Sequence, residues 1–349
     1  MKFKQIIKHI CIAFVLFIMA LYPTYKNITQ GSGLYQYENH KLFMENNSHS
    51  FDPWQYRILC PLLVEKMFYI LDATVLNTLY NTFKNKSIHT NTPQLQALQQ
   101  DSLFFKYTIV FIVCRFLEDL CIYLLLWHYL FLFTKNKLLI SIFILLAVWA
   151  MGNAVMNSDL SLNTYMDIIF YLTAAYIIVS KKNIYWILPL SILGAMNRET
   201  AAFIPLMLFF AHCDIKNKTL PPKKIWFITS VSVFLFFFIL IIIRIHFGYR
   251  PDTHPWHLLV YNLFTPTNFH TYFEMFGALG VFPFMCFYYF RKNSYLLQMF
   301  FFLIVPIWFS VHLIGTYARE ARCFLMPLFV IFMPMIIEII EEKYKSAAN

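Results

Sequence analysis

The segment with the most reactive side chains contains Asp52, Tyr56 and Arg57. The Asp52 carboxylate could act as a general base, and the Arg57 guanidinium could hold a phosphate through two parallel hydrogen bonds. A structural role is equally open, because Asp52 before Pro53, with Gln55 following, has the pattern of a helix N-cap with its capping box. Asp52 is therefore a candidate catalytic residue, and Tyr56 and Arg57 are candidate substrate-binding residues.

A second polar segment contains the carboxylates Asp159 and Asp167, beside Asn157, Ser158 and Thr164. Two carboxylates near one membrane edge could supply a base, or could hold a metal ion or the hydroxyl groups of a sugar. Residues of these types also form turns and helix caps without any chemical role. Asp159 is a second candidate catalytic residue, and its structural alternative stays open.

Asn197, Arg198, Glu199 and Thr200 form a polar island between two short apolar runs. Charges at membrane depth are costly, so they normally face a water-filled cavity, a partner or a ligand. Neighbours in sequence do not face each other on a helix, so pairing between Arg198 and Glu199 is an inadequate explanation. The pattern predicts that Asn197, Arg198 and Glu199 bind substrate.

The third group of candidate binding residues is Arg319, Glu320 and Arg322. If this segment is helical, the two arginines share one face and could hold a lipid phosphate or pyrophosphate. The alternative is that both arginines reach out to ordinary lipid headgroups.

One charged cluster, Arg115, Glu118 and Asp119, is predicted to lie deeper. The spacing allows Arg115 to pair with either acid on one helix face. Arg115 is roughly 14 Å along a helix from Lys106, a plausible outer margin, which is too deep for easy contact with water. The cluster is either a structural ion pair or the floor of a substrate cavity or proton path.

The composition indicates a membrane protein. Of 349 residues, 59% are hydrophobic, 19% aromatic and only 13% charged, which is more apolar side chain than a soluble protein of this length can bury. The net charge of +10 comes from small basic groups between apolar runs, which suit anionic lipid rather than nucleic acid. The eight glycines form neither a dinucleotide-binding motif nor a P-loop, so an ATP-driven pump is not expected.

About ten apolar runs alternate with short loops, and basic residues gather on one side of the predicted bundle. The runs occupy residues 6–22, 103–133, 138–152, 164–180, 184–196, 200–212, 225–247, 271–290, 294–314 and 322–340. The basic loops contain Lys135, Lys137, Lys181, Lys182, Lys216, Lys218, Lys223, Lys224, Arg291, Lys292, Lys343 and Lys345. The positive-inside rule places these loops and both termini in the cytoplasm. The short runs 184–196 and 200–212 predict a tilted or re-entrant pair.

The predicted fold class is therefore an all-α polytopic integral membrane protein with about ten transmembrane helices, within a range of about eight to eleven. Residues 1–349 form a single membrane domain. Residues 26–102 form a long first extracytoplasmic loop, and an amphipathic helix near 61–72 lies in the membrane interface. The expected location is a bacterial inner, or cytoplasmic, membrane.

Three motifs carry a resemblance to a known class of enzymes. The segments QYRILCPLL at 55–63, NRET at 197–200 and EAR at 320–322 resemble motifs of poorly characterised bacterial membrane proteins, and the overall pattern looks like the GT-C class of glycosyltransferases. The resemblance implies transfer of a sugar from a polyprenyl-phosphate donor to a glycan, lipid or protein acceptor outside the cytoplasm. It implies that Asp52 deprotonates the acceptor and that arginines neutralise the departing phosphate.

The expected partners are a polyprenyl-phosphate-linked sugar, a glycan or lipid acceptor and membrane lipids, and nucleic acid is not among them. These motifs require no cofactor, and whether a divalent cation binds is left open. Two other functions fit the same pattern, a surface-polysaccharide polymerase or ligase and a membrane transporter. A non-catalytic membrane scaffold is a third.

Overall fold

A computed structural model describes residues 2–29, 32–44, 56–84, 93–154, 162–214, 217, 219–248, 255–265, 269–317 and 320–348. These described residues are 88% helical and contain no β-strand. The all-α prediction is therefore confirmed for this part of the chain.

Among the described residues, five helices are long and apolar enough to cross a membrane, as expected of an integral membrane protein. They are Ile10–Thr29, Lys137–Ala154, Lys223–Phe247, Tyr295–Gly315 and Ala321–Tyr344. Three shorter apolar helical segments accompany them: Asn163–Val179, Ile184–Asn197 and Glu199–Ala211. The expected count of about ten crossings stays a prediction.

The helices are numbered here in chain order. The first nine are α1 Lys2–Thr29, α2 Ser32–Met44, α3 Leu59–Leu71, α4 Asn77–Lys84, α5 Pro93–Gln100, α6 Ser102–Leu130, α7 Lys137–Ala154, α8 Asn163–Val179 and α9 Ile187–Asn197. The others are α10 Phe203–Ala211, α11 Lys223–Phe247, α12 Pro255–Phe264, α13 Phe269–Leu279, α14 Phe282–Tyr288, α15 Tyr295–Met299, α16 Val305–Gly315, α17 Leu325–Pro327 and α18 Met333–Ala348.

The region predicted as the long first loop contains several helices. Helix α1 continues through Pro23 to Thr29, seven residues beyond the predicted end of the first apolar run at residue 22. Helix α3 covers most of the predicted interfacial helix near 61–72 and continues through a π-helical turn, Asp72–Leu76, into α4. That α3 lies in the membrane interface stays a prediction.

Helix α6 is 29 residues long, about 43 Å at the α-helical rise. Asp101 caps its first turn, because the carboxylate accepts hydrogen bonds from the backbone N–H groups of Leu103 and Phe104. The helix packs against α1 and α8, and this contact buries Arg115 and Asp119 inside the protein.

Helices α9 and α10 form the short pair that the sequence predicted. With 11 and 9 residues, each is roughly 14–16 Å long, about half of a hydrocarbon core. The chain breaks at Arg198, whose backbone is extended, with φ −162° and ψ 145°. Gly194 lies so close to the next turn that a Cβ atom there would be 2.6 Å from the Cβ of Ala201.

The segment Ala321–Tyr344 lies at the centre of the bundle. In an apolar 18-residue window of this segment 89% is buried, whereas the corresponding share for the similarly apolar Lys223–Phe247 is 33%. Its 24 residues extend about 36 Å, more than the thickness of a hydrocarbon core. At one end Glu341 contacts Thr134 and Glu342 contacts Lys292. At the other end Cys323 contacts Arg198 of the NRET motif.

Candidate functional site

The QYR and NRET motifs meet through an ion pair between Arg57 and Glu199. The Arg57 Nη2 atom lies 3.2 Å from Glu199 Oε2, and the two side chains are 9% and 30% exposed. Arg57 precedes α3, and Glu199 begins the short turn between α9 and α10. The structure thus joins two motifs that are 142 positions apart in the chain.

Arg198 and Glu199 contact different partners, as expected because neighbouring side chains do not face each other. Its Nη1 atom donates to Thr164 Oγ1 at 3.1 Å and its Nη2 atom to Cys323 Sγ at 3.5 Å. The extended backbone at Arg198 turns these two neighbouring side chains in different directions. Arg198 is 5% exposed, and its Nε atom has no hydrogen-bond partner within the described residues.

The third motif contributes Glu320 and Arg322. Arg322 Nη2 lies 3.1 Å from Glu320 Oε2, and the Arg322 side chain is buried. The pair is formed at i,i+2 spacing, because the chain is irregular at Glu320 and then enters a 3₁₀ turn, Ala321–Phe324. The Cys323 thiol also lies 3.9 Å from the Glu320 carboxylate, which links this pair to Arg198.

Three guanidinium groups therefore share one buried region. Burial lowers the pKa of Arg57 below its ordinary value, and the positive charges of Arg198 and Arg322 lower it further. The Glu199 carboxylate acts in the opposite direction. Glu199 pairs with Arg57 and Glu320 pairs with Arg322, and an anionic ligand could take the place of either carboxylate.

A layer of neutral hydrogen bonds holds these segments in place. Asn163 and Asn197 exchange side-chain-to-backbone hydrogen bonds at 3.2 and 2.9 Å. The Cys60 thiol donates to Asn197 Oδ1 at 3.5 Å. Thr200 Oγ1 donates to Asp167 Oδ2 at 2.8 Å, and the Tyr171 hydroxyl donates to the Thr200 carbonyl oxygen. Asn197 thereby joins α8 and α9, and its predicted role in binding substrate stays a prediction.

Two residues of the region were not identified from the sequence. The Trp308 indole N–H donates to the Cys323 carbonyl oxygen at 2.8 Å. The His312 Nδ1 atom lies 2.9 Å from the Trp308 carbonyl oxygen, which fixes its proton on Nδ1. The His312 Nε2 atom is buried and has no hydrogen-bond partner within the described residues. Both lie in the apolar run 294–314, where Ser310 between them forms no recognisable motif, so no sequence signal marked them.

Tyr56 lies beside this region and helps to position Arg57. Its hydroxyl donates to the Gly248 carbonyl oxygen at 3.0 Å, and its ring lies 5.1 Å from the Arg244 guanidinium carbon. Tyr56 is 1% exposed. These contacts anchor the segment before α3 to the end of α11, so Tyr56 has a structural role in addition to its predicted binding role.

The deep cluster is held together by contacts within the protein. Arg115 Nη1 lies 3.8 Å from Glu118 Oε2, and the Arg115 guanidinium carbon lies 4.0 Å from the centre of the Tyr165 ring. Asp119 accepts a hydrogen bond from Thr24 of α1 at 3.0 Å. The predicted i,i+3 pair is present. These contacts favour a structural ion pair over the floor of a substrate cavity or a proton path.

Asp52, Asp159 and Arg319 lie outside the described residues, so the structure does not locate these three candidates. Among the described residues, no group of three or more His, Cys, Asp or Glu side chains could hold a metal ion. The structure therefore supplies no ligand set, within that part of the chain, for the divalent cation that the sequence left open.

Comparison with known proteins identifies no relative. The chain matches no protein-family model, and searches of curated proteins and of solved structures find no match.

Proposed function

We propose that this chain is a membrane glycosyltransferase of the GT-C type, which transfers a sugar from a polyprenyl-phosphate donor to an acceptor on the extracytoplasmic face. The observation that carries the proposal is the meeting of Arg57, Arg198 and Arg322 at one end of the bundle. Buried guanidinium groups can bind the phosphate that leaves with its lipid tail, because this phosphate can replace the carboxylates paired with them. The two paired carboxylates, Glu199 and Glu320, keep these cations stable before the donor binds.

The distribution of charge along the bundle supports the proposed orientation. The candidate site lies at the beginning of Ala321–Tyr344, whereas Lys292 and Lys343 lie around its end. The loops rich in lysine are cytoplasmic by the positive-inside rule. The proposed site is then extracytoplasmic, in a bundle with about ten crossings, both termini in the cytoplasm, in a bacterial inner membrane.

In the proposed reaction, the acceptor hydroxyl oxygen attacks the anomeric carbon opposite the phosphate. A new bond forms between these two atoms while the bond from the anomeric carbon to the phosphate oxygen breaks, with inversion. The acceptor proton passes to a carboxylate, for which Asp52 is the first candidate and Asp159 the second. The negative charge that develops on the leaving phosphate is stabilised by Arg57, Arg198 and Arg322.

Transfer of label from a polyprenyl-phosphate sugar by the purified protein tests this proposal. We expect Asp52→Asn and Arg198→Gln to abolish transfer, and Lys182→Gln, at the opposite end of the bundle, to leave it unchanged. If Asp52, Arg57 and Arg198 prove dispensable while Arg115→Gln abolishes function, the protein is a transporter and the proposal is wrong. Transfer to a growing glycan rather than to a single acceptor would identify the polymerase or ligase alternative.

Labelling with a membrane-impermeant maleimide in whole cells tests the orientation separately. Tyr317→Cys lies beside the candidate site and is expected to react, whereas Lys182→Cys is expected to react only after the cells are opened. The reverse pattern would contradict the orientation and with it the proposed reaction.

A further inference from the structure

A groove lined by aromatic and basic residues lies at the end of the bundle away from the candidate site. Phe287, Tyr288 and Phe302 form its apolar wall and are 75%, 79% and 63% exposed. Arg291 and Lys292, in a short 3₁₀ turn after α14, form its basic rim. The groove has a volume of about 590 Å³, which is comparable with small-molecule sites of about 300–1,000 Å³.

The rim carries an excess of positive charge. Lys292 Nζ lies 3.9 Å from Glu342 Oε2, with both side chains about half exposed at 47% and 52%. Lys292 and Lys343 also lie over the same Tyr289 ring, at 5.8 and 5.1 Å from its centre. Arg291, Lys292 and Lys343 thus place three cations near two carboxylates, Glu342 and Glu338, the second of which accepts a hydrogen bond from the Ser294 N–H. Such an excess favours an anion with two negatively charged or strongly accepting oxygens.

The position of the groove identifies the chemical class of its ligand. Exposed aromatic rings next to basic residues at the end of a membrane bundle are typical of the headgroup level, where an apolar chain and a phosphate meet. A soluble anion would use the basic rim but would leave the wall of Phe287, Tyr288 and Phe302 without a partner. A lipid with an anionic headgroup uses both parts.

We propose that this groove is a specific binding site for an anionic phospholipid, with the phosphate at Arg291 and Lys292 and an acyl chain along Phe287, Tyr288 and Phe302. The site is independent of the proposed glycosyl transfer. It lies at the opposite end of the central segment Ala321–Tyr344, so lipid bound there stabilises the packing of α14 and α18 without occupying the candidate site.

Lipid retention by the full-length protein tests the proposal. The purified protein in detergent is titrated with phosphatidylglycerol or phosphatidylcholine, and bound lipid is counted by native mass spectrometry. We expect phosphatidylglycerol to be retained preferentially, and Arg291→Gln with Lys292→Gln to reduce its retention at least about fivefold. Phe287→Ala with Phe302→Ala should reduce retention of the same lipid while leaving both cations in place.

The matched control is Lys181→Gln with Lys182→Gln, which removes two exposed charges from another basic loop. Equal loss of lipid in the control would mean general electrostatic attraction and would overturn the proposal. Retention unchanged by the Arg291 and Lys292 substitutions would also overturn it. Displacement of the lipid by millimolar inorganic phosphate would identify a free-anion site and reject a phospholipid site.

Discussion

The ion pair between Arg57 and Glu199 allows a quantitative prediction. At 3.2 Å and an effective dielectric constant of about 20, the attraction is roughly 5 kcal/mol. Desolvation of the buried Arg57 offsets part of this attraction, and water screens Glu199, whose side chain is 30% exposed. We therefore expect a net coupling of about 2 kcal/mol between the two side chains.

A double-mutant cycle measures this coupling directly. Arg57→Gln, Glu199→Gln and the double variant keep side-chain size while they remove one or both charges. The free energy of unfolding is measured for each variant in detergent micelles by reversible unfolding with a denaturant. The stability losses of the two single variants should add up to more than the loss of the double variant. Each single variant already removes the whole ion pair, so the sum counts that loss twice.

The pair between Lys292 and Glu342 provides the control for this cycle. Its atoms are 3.9 Å apart and both side chains are about half exposed, so a coupling below about 0.5 kcal/mol is expected. If the coupling of Arg57 to Glu199 is no larger than that of the control, the two residues do not form a buried pair, and the junction of their motifs is refuted.

Three other predictions concern separate parts of the chain. Arg198→Lys should reduce sugar transfer at least about 100-fold, because lysine keeps the charge but cannot offer a planar fork to the phosphate; unchanged transfer would argue against a binding role. Gly194→Ala should destabilise the protein by about 1–3 kcal/mol in denaturant unfolding, because its Cβ would meet Ala201, and the added change Ala201→Gly should restore stability. Burial lowers the pKa of His40 from 6.5, against the opposing effect of Glu65. The unfolded chain therefore binds a proton at higher pH than the folded protein does, and stability falls as the pH drops below about 6.5. Melting curves of His40→Gln should lose this acid dependence.

The short polar motifs were the most predictable part of the site. Charged residues between apolar runs need partners, and this requirement alone indicated that Arg198 and Glu199 would contact other segments. The pair Arg115 and Glu118 followed from helical spacing. The sequence did not indicate which segments would meet, because contacts such as Arg57 with Glu199 depend on how the helices pack.

Residues inside apolar runs were the least predictable. His312 and Trp308 looked like ordinary core residues, and only the packing of α16 against the start of Ala321–Tyr344 brings them to the site. Helix α1 likewise passes Pro23, a residue that often ends a helix. Beyond Pro23 the Thr24 hydroxyl lies 3.0 Å from the Ala20 carbonyl oxygen and 3.0 Å from Asp119 of α6. The second is a tertiary contact that periodicity does not reveal.

The burial of Ala321–Tyr344 has a consequence for biogenesis. The ribosome synthesises this segment after every helix that surrounds it. The earlier helices therefore enter the membrane before the segment that fills the space between them. Final compaction must therefore wait until translation has passed residue 344, and nascent chains halted before residue 321 should remain loosely assembled and open to proteases.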